Sequence, residues 1–398
     1  MDINQLKYTI MKKILLFAAV CCAMSMMASE EEARLDSVYF YDNAPDNLTG
    51  RQVHSYDGKG NLVLLTVDEW ISGAWVAYAK QEATYDENGN QLFVTASEYD
   101  GTKWTYKEKY EFKYNSALQQ TENTHYQWGT TDWVLFTRYL YTYTANNQKA
   151  TETFQQYVSG EWKDQSRYTY TYYTNGMVKS EVVENYKDGA LVNYSKTYYE
   201  YNSALQQTLA EVSLWDATKT DWVPYYKYMR SYTDGLLTLV HKQDYNTSKS
   251  AWIDDFKTSY SYTADGQVQE ELTTSYLSSK WTNSNRLLYT YDAQGNKTRK
   301  GQQYWDAESG VWYDYSEETW LYELDGAKVT ETYSTYSQAD KKWKFSYAST
   351  SFYTLPETGI VTVNGEGLTV KGRKIFRDGQ VLIERKGVLY DARGARVE

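Results

Sequence analysis

Side chains that could do chemistry are scattered thinly along this chain, and their spacing decides what they can do. Three histidines, His54, His125 and His241, are too far apart in sequence for a metal-ligand motif. They read as solvated strand residues. Asp86-Glu87-Asn88-Gly89-Asn90 has the oxygen-rich look of a calcium loop, but it lacks the spacing and terminal glutamate of an EF-hand. Asx turns account for it. No Gly-x-Ser-x-Gly elbow and no phosphate loop occurs. Among 52 acidic residues nothing marks out a pair for glycoside cleavage. Catalytic residues, metal ligands and cofactors are therefore each expected to be none.

Aromatic side chains are the one abundant resource, with 43 Tyr and 14 Trp. Tryptophan and tyrosine faces can stack on sugar rings while neighbouring amides or acids bond the hydroxyls. Trp104, Trp133, Trp162, Trp252 and Trp281 are the candidate ligand-binding residues on this reading. The competing reading is that they pack neighbouring strands.

What must position them is a repeat. A tyrosine-led turn returns at Tyr56, Tyr85, Tyr114, Tyr143, Tyr173, Tyr201, Tyr232, Tyr262, Tyr291 and Tyr322, with spacings of 28 to 31 residues. A second loop closes on tryptophan at Trp75, Trp104, Trp133, Trp162, Trp222, Trp252, Trp281, Trp312 and Trp343, with Leu191 in the fifth slot. An aromatic precedes each by five to seven residues. Each unit thus reads as one β-hairpin of about 29 residues. Setting Tyr276 opposite Trp281 gives a register in which Leu272 faces Asn285 and Val268 faces Tyr289. One face then carries Trp281, Leu287, Tyr289 and Tyr291, and likewise Trp162, Tyr168 and Tyr170. The opposite, wetter face carries Lys163, Gln165, Arg167, Thr169 and Thr171.

The fold class expected is all-β: an antiparallel meander of about ten hairpins over residues 39–352, forming a long twisted or coiled sheet with its aromatic face curled inward. A propeller would show a two-unit period. Instead Tyr114-Asn115-Ser116-Ala117-Leu118-Gln119-Gln120-Thr121 recurs at Tyr201–Thr208, three units on.

The flanks differ from the array. Lys12-Lys13 before the apolar Ile14–Ala23 stretch reads as a secretory signal over residues 1–28, starting at Met11, with Ala23, Ser25 and Ala28 near the cleavage point. Cys21 and Cys22 lie inside it; Val20 before Cys21 disfavours lipidation. The apolar run is too short to span a bilayer, and no other follows. Residues 355–398 lose the aromatic period and read as a small β-rich tail with glycine turns. Leu355-Pro356-Glu357-Thr358-Gly359 matches a sortase signal in letters, but a polar segment follows where a membrane segment belongs. A net charge of −11 argues against nucleic-acid partners.

Tyr289-Thr290-Tyr291-Asp292-Ala293-Gln294-Gly295-Asn296 resembles the YD (Rhs-type) repeat. That family builds β-sheet shells, some enclosing toxins; its units are shorter and lack the tryptophan-closed loop. The array is more similar to tyrosine- and tryptophan-rich repeat proteins exported by Bacteroidetes. The tail is similar to the sorting tails of type IX secretion, which direct transport or attachment; a cap over the sheet edge is the other reading. The signal segment, in line with these resemblances, leads us to expect an exported protein, on the outer cell surface or extracellular, and the missing catalytic motifs lead us to expect one without enzymatic activity. On the strength of the aromatic ladder, a glycan or a host surface protein is the expected partner, in binding or adhesion. A Rhs-like shell or passive spacer is the alternative, and a glycoside hydrolase the third. Oligomeric state is not fixed by the sequence.

Overall fold

The computed structural model describes residues 33–355, Asp325 by its backbone alone, together with the backbone of five short strands between residues 361 and 391. An opening pair, β1 (Arg34–Asp42) and β2 (Leu48–Tyr56), is followed by ten hairpins. These are β3 (Leu62–Ile71) with β4 (Ala74–Tyr85), β5 (Gln91–Tyr99) with β6 (Trp104–Tyr114), β7 (Gln120–Trp128) with β8 (Trp133–Tyr143), and β9 (Lys149–Val158) with β10 (Glu161–Tyr172). Then come β11 (Val178–Lys187) with β12 (Ala190–Tyr201), β13 (Gln207–Asp216) with β14 (Asp221–Thr233), and β15 (Leu236–Asn246) with β16 (Ala251–Tyr262). The series ends with β17 (Val268–Leu277) and β18 (Lys280–Tyr291), β19 (Lys297–Asp306) and β20 (Val311–Glu323), and β21 (Lys328–Ser337) and β22 (Lys342–Thr354). Five further strands, β23 to β27 (Val361–Thr362, Thr369–Val370, Arg373–Arg377, Gln380–Arg385, Val388–Asp391), form a two-stranded and a three-stranded sheet.

The array closes on itself. β1 pairs antiparallel with β2 on one side and with β22 on the other, from Arg34 opposite Thr354 to Asp42 opposite Tyr347. The result is a closed 22-stranded antiparallel barrel, which corrects the expected long open or coiled sheet. An open meander of this length would leave two rows of unpaired N–H and C=O groups, and closure removes both edges. The repeat period carried no sign of closure because the sealing strand, β1, lies outside the period.

Each of the ten hairpins pairs its two loop-flanking residues directly: Trp70 with Trp75, Tyr99 with Trp104, Tyr276 with Trp281, and so on to Tyr336 with Trp343. Beyond that pair the expected register fails. Thr274 pairs with Asn283 but Thr273 pairs with Asn285, so Ser284 is a bulge and Leu272 meets Arg286, not Asn285. The extra residue recurs three places after each tryptophan slot, as in Lys107, Phe136, Gln165, Tyr194, Tyr225, Asp255 and Tyr315. A bulge shifts the side-chain alternation by one. Trp281 therefore shares a face with Arg286 and Leu288, while Leu287, Tyr289 and Tyr291 take the other. Trp162 likewise shares a face with Arg167, Thr169 and Thr171, and Tyr168 and Tyr170 lie opposite. The wall thus has a tryptophan face and a tyrosine face, where the alternation alone had put both aromatics together.

Residues 1–28 with Cys21 and Cys22 lie outside the described residues, and so do the side chains of the tail.

Candidate functional site

At eight of the ten turns a leading tyrosine is a latch. Tyr56, Tyr85, Tyr114, Tyr143, Tyr172, Tyr232, Tyr262 and Tyr291 each donate their hydroxyl to a backbone carbonyl near the start of the preceding hairpin; Tyr291 reaches Val268 O at 2.8 Å and Tyr143 reaches Gln120 O at 2.5 Å. In the fourth unit the latch is Tyr172; Tyr173, expected to lead there, bonds Tyr198 and the carbonyl of Tyr199 instead. The residue after the latch shapes the turn. Asp292 accepts the backbone N–H groups of Gln294 and Asn296 at 2.9 and 2.8 Å, and the Asn296 amide bonds its second oxygen. Those bonds hold the Asp292 carboxyl below its ordinary pKa, the Asn296 side chain contributing most. This is the Asx geometry expected of the calcium-like stretch, and Asp86 repeats it with Asn88 and Asn90. Among the described residues no group of three or more His, Cys, Asp or Glu is placed to hold a metal ion.

The five candidate tryptophans all lie on the tryptophan face at hairpin ends, each against its cross-strand aromatic. Ring centroids are 5.2 Å apart for Tyr99–Trp104, 5.0 Å for Trp128–Trp133, and 5.1 Å for Tyr157–Trp162, Tyr245–Trp252 and Tyr276–Trp281. Each also receives a cation from the preceding hairpin. Lys80 lies 5.3 Å from the Trp104 ring, Lys109 5.7 Å from Trp133, Arg138 4.4 Å from Trp162, Lys227 4.3 Å from Trp252 and Lys257 4.1 Å from Trp281. Arg51 and Arg286 do the same for Trp75 and Trp312. The cation stands five residues after its own hairpin's tryptophan slot and meets the next one across the intervening strand. Arg167, which faces the Leu191 slot, pairs with Glu184 at 2.7 Å instead. A cation over an aromatic face contributes about 0.5–1 kcal/mol where exposed and about 2 where desolvated. The sequence contained this period of basic residues, but without the bulge it falls on the wrong face.

The tyrosine face is the drier one for ionisable groups. Burial pushes the His125 imidazole down to about 4 and lowers His54. His125 stacks on Tyr110 with centroids 4.5 Å apart and meets Phe136 edge-on. Neither histidine is the solvated strand residue expected from its spacing in the sequence. His241, on the tryptophan face, bonds Asp254 at 2.6 Å. Burial raises Glu108 and Glu181, and raises the phenols of Tyr141, Tyr170 and Tyr289, with nearby glutamates adding to the rise.

No family model matches this chain, so the expected YD-repeat and type IX relationships have no support from sequence families, and no curated protein matches either. Solved structures give partial overlaps. A DUF3836 family protein from Bacteroides vulgatus is 20% identical over 23% of this chain and 91% of its own, with a TM-score of 0.21. TcdB2-TccC3-TEV is 12% identical over 92% of this chain and 22% of its own, with a TM-score of 0.28. A porin-like protein from Bacteroides uniformis is 12% identical over 80% of this chain and 96% of its own, with a TM-score of 0.24. At such scores nothing about ligand, activity or location passes from them to this chain.

Proposed function

We propose that this chain is a non-enzymatic β-shell that stands in water, exported to the cell surface or the medium. The observation that carries this is closure by β1 combined with charge well inside the strands on both faces of the wall. On the tryptophan face Lys80, Lys109, Arg138, Lys227, Lys257 and Arg286 sit near mid-strand. On the tyrosine face Glu108, Glu152, Glu181, Lys242, Glu271 and Lys300 do so. A bilayer-spanning barrel needs one apolar face about 25 Å tall, and a lysine or arginine at the bilayer midplane costs about 2–4 kcal/mol. Whichever face points outward, several such charges would meet lipid. The aromatic clamps and cation stacks then serve the wall itself.

A second reading, binding of a glycan or a host surface protein through aromatics, is favoured by what stays open. Trp104 is 38% exposed, and the bulge tyrosines Tyr194, Tyr225 and Tyr315 are 56%, 51% and 49% exposed.

The test is residues 30–398 purified without detergent, followed by size-exclusion light scattering, planar-bilayer conductance and a glycan array. A shell in water gives a soluble particle that inserts no channels. Channel insertion, or solubility only in detergent, defeats it. Glycan capture lost in Trp104→Ala and Tyr225→Ala with unchanged circular dichroism would establish the second reading.

A further inference from the structure

One stretch of the tyrosine face has an internal precedent for binding an ammonium group. Lys149 places its ammonium 2.9 Å from Glu152 and 4.8 Å from the Tyr141 ring, so a carboxylate and a phenol on adjacent strands β9 and β8 together hold a cation. Tyr141 pairs directly with Glu152, and Glu152 with Tyr168 on its other side. One hairpin further on, the same arrangement recurs. Glu181 pairs with Tyr170, and Tyr199 stands on the same face one strand beyond. Here the cation is missing, because Val178 occupies the place of Lys149, each being the residue paired with the latch tyrosine of its turn. Lys179 next to it lies over Tyr173, 5.8 Å from the ring. Among the described residues Glu181 has no hydrogen-bond or ion-pair partner, whereas the equivalent Glu271 accepts the Tyr289 hydroxyl at 2.6 Å.

We propose that Glu181, with Tyr168, Tyr170 and Tyr199 around it and Glu152 two strands away, is a binding site for a small organic cation of the quaternary-ammonium class. Glu152 stands opposite Tyr168 and Glu181 opposite Tyr170, so the two residues are separated by one strand and two register positions, with backbones roughly 12 Å from each other at ordinary strand spacing. That is too far to chelate one hard metal ion at 2.3–2.6 Å. It suits a diffuse charge resting on the Tyr168 and Tyr170 rings between them, the arrangement by which aromatic cages take choline-like groups. Burial and the Glu152 charge both push the Glu181 carboxyl up, so a bound cation relieves a repulsion already present.

Choline chloride titrated into the purified protein at low salt, followed by calorimetry and tyrosine fluorescence, tests this. Saturable binding is expected, with glucose giving none. Glu181→Gln weakens it about tenfold or more, while Tyr170→Phe, which keeps the ring, leaves it within about twofold. Val178→Lys supplies the chain's own ammonium and abolishes binding without loss of folding. Failure to bind choline, equal binding by Glu181→Gln, or undiminished binding by Val178→Lys would each overturn the site; preference for a neutral sugar would reassign it. None of these outcomes bears on the detergent and bilayer results, so the shell stands or falls separately.

Discussion

At the scale of single residues, the wall is held by polar groups that each do one local job. The latch tyrosines show this. Tyr291 is half-buried with its hydroxyl on Val268 O, so Tyr291→Phe keeps the ring and removes only the hydrogen bond. The carbonyl left behind makes the change cost about 1 kcal/mol, to be read as a lowered urea midpoint with unchanged slope. His125 makes a prediction in pH. Its folded pKa is about 4, below the ordinary 6.5, because burial disfavours the charged ring. The unfolded chain therefore binds the proton more readily than the fold does. The contribution is fully present above about pH 6.5 and is lost as the pH falls towards about 4. His54 acts in the same direction. Urea midpoints taken at pH 7.5 and pH 5 should fall for the native protein and fall less for His125→Phe, which keeps the stack on Tyr110. An equal fall in both would show that other groups set the acid limit.

At the scale of the hairpin, legibility in the sequence divides at the bulge. Turns, strand count per unit and nine cross-strand aromatic pairs, with Tyr186 opposite Leu191 as the tenth, follow from residue types at fixed spacing, and Tyr276 pairs with Trp281 as expected. The bulge residue has no type of its own: Lys107, Phe136, Gln165, Tyr194, Asp255 and Ser284 all occupy it. Only its position is constant, so composition could not reveal it. The face assignment of Tyr289 and Tyr291 was lost with it, and so was the ladder of cations over tryptophans. Deleting Ser284 sharpens the point. Without the extra residue either Trp281 leaves Tyr276 and the Lys257 stack, or Arg286 and Tyr289 exchange faces and lose Glu270 and Glu271. Both alternatives break several contacts at once. The deletion should cost far more than Ser284→Ala, which keeps the residue count and should stay within about 0.5 kcal/mol. Thermal unfolding of the two variants side by side checks this, and equal stability would mean that the bulge is incidental.

At the scale of the whole molecule, everything depends on one non-repeating strand. The 22 strands at about 4.8 Å spacing measure about 105 Å across the strands, and the tilt of about 35–45° that closure requires makes the barrel about 40–50 Å across. Most of that ring is built from pairings between neighbours in sequence, which form early because their loops are short. The closing ladder joins β1 to β22, with Thr354 also donating its hydroxyl to Asp36 at 2.7 Å across a separation of 318 residues. β1 runs antiparallel to both its neighbours, so β2 and β22 run parallel to each other. They cannot seal the gap with the antiparallel ladder used everywhere else. Removing residues 33–43 should therefore leave the ten hairpins formed but the wall open, with two long strand edges free. Such edges pair with another copy. The truncated protein is expected to keep its far-ultraviolet β-signal and its aromatic clamps while shifting from one discrete particle to concentration-dependent dimers and larger species in light scattering. A synthetic peptide of residues 33–43 should bind the truncated barrel, add its strand and restore the single particle. A truncated chain that stays monomeric without the peptide would mean that β2 and β22 find each other unaided, and that closure is a property of the repeats and not of the strand that precedes them.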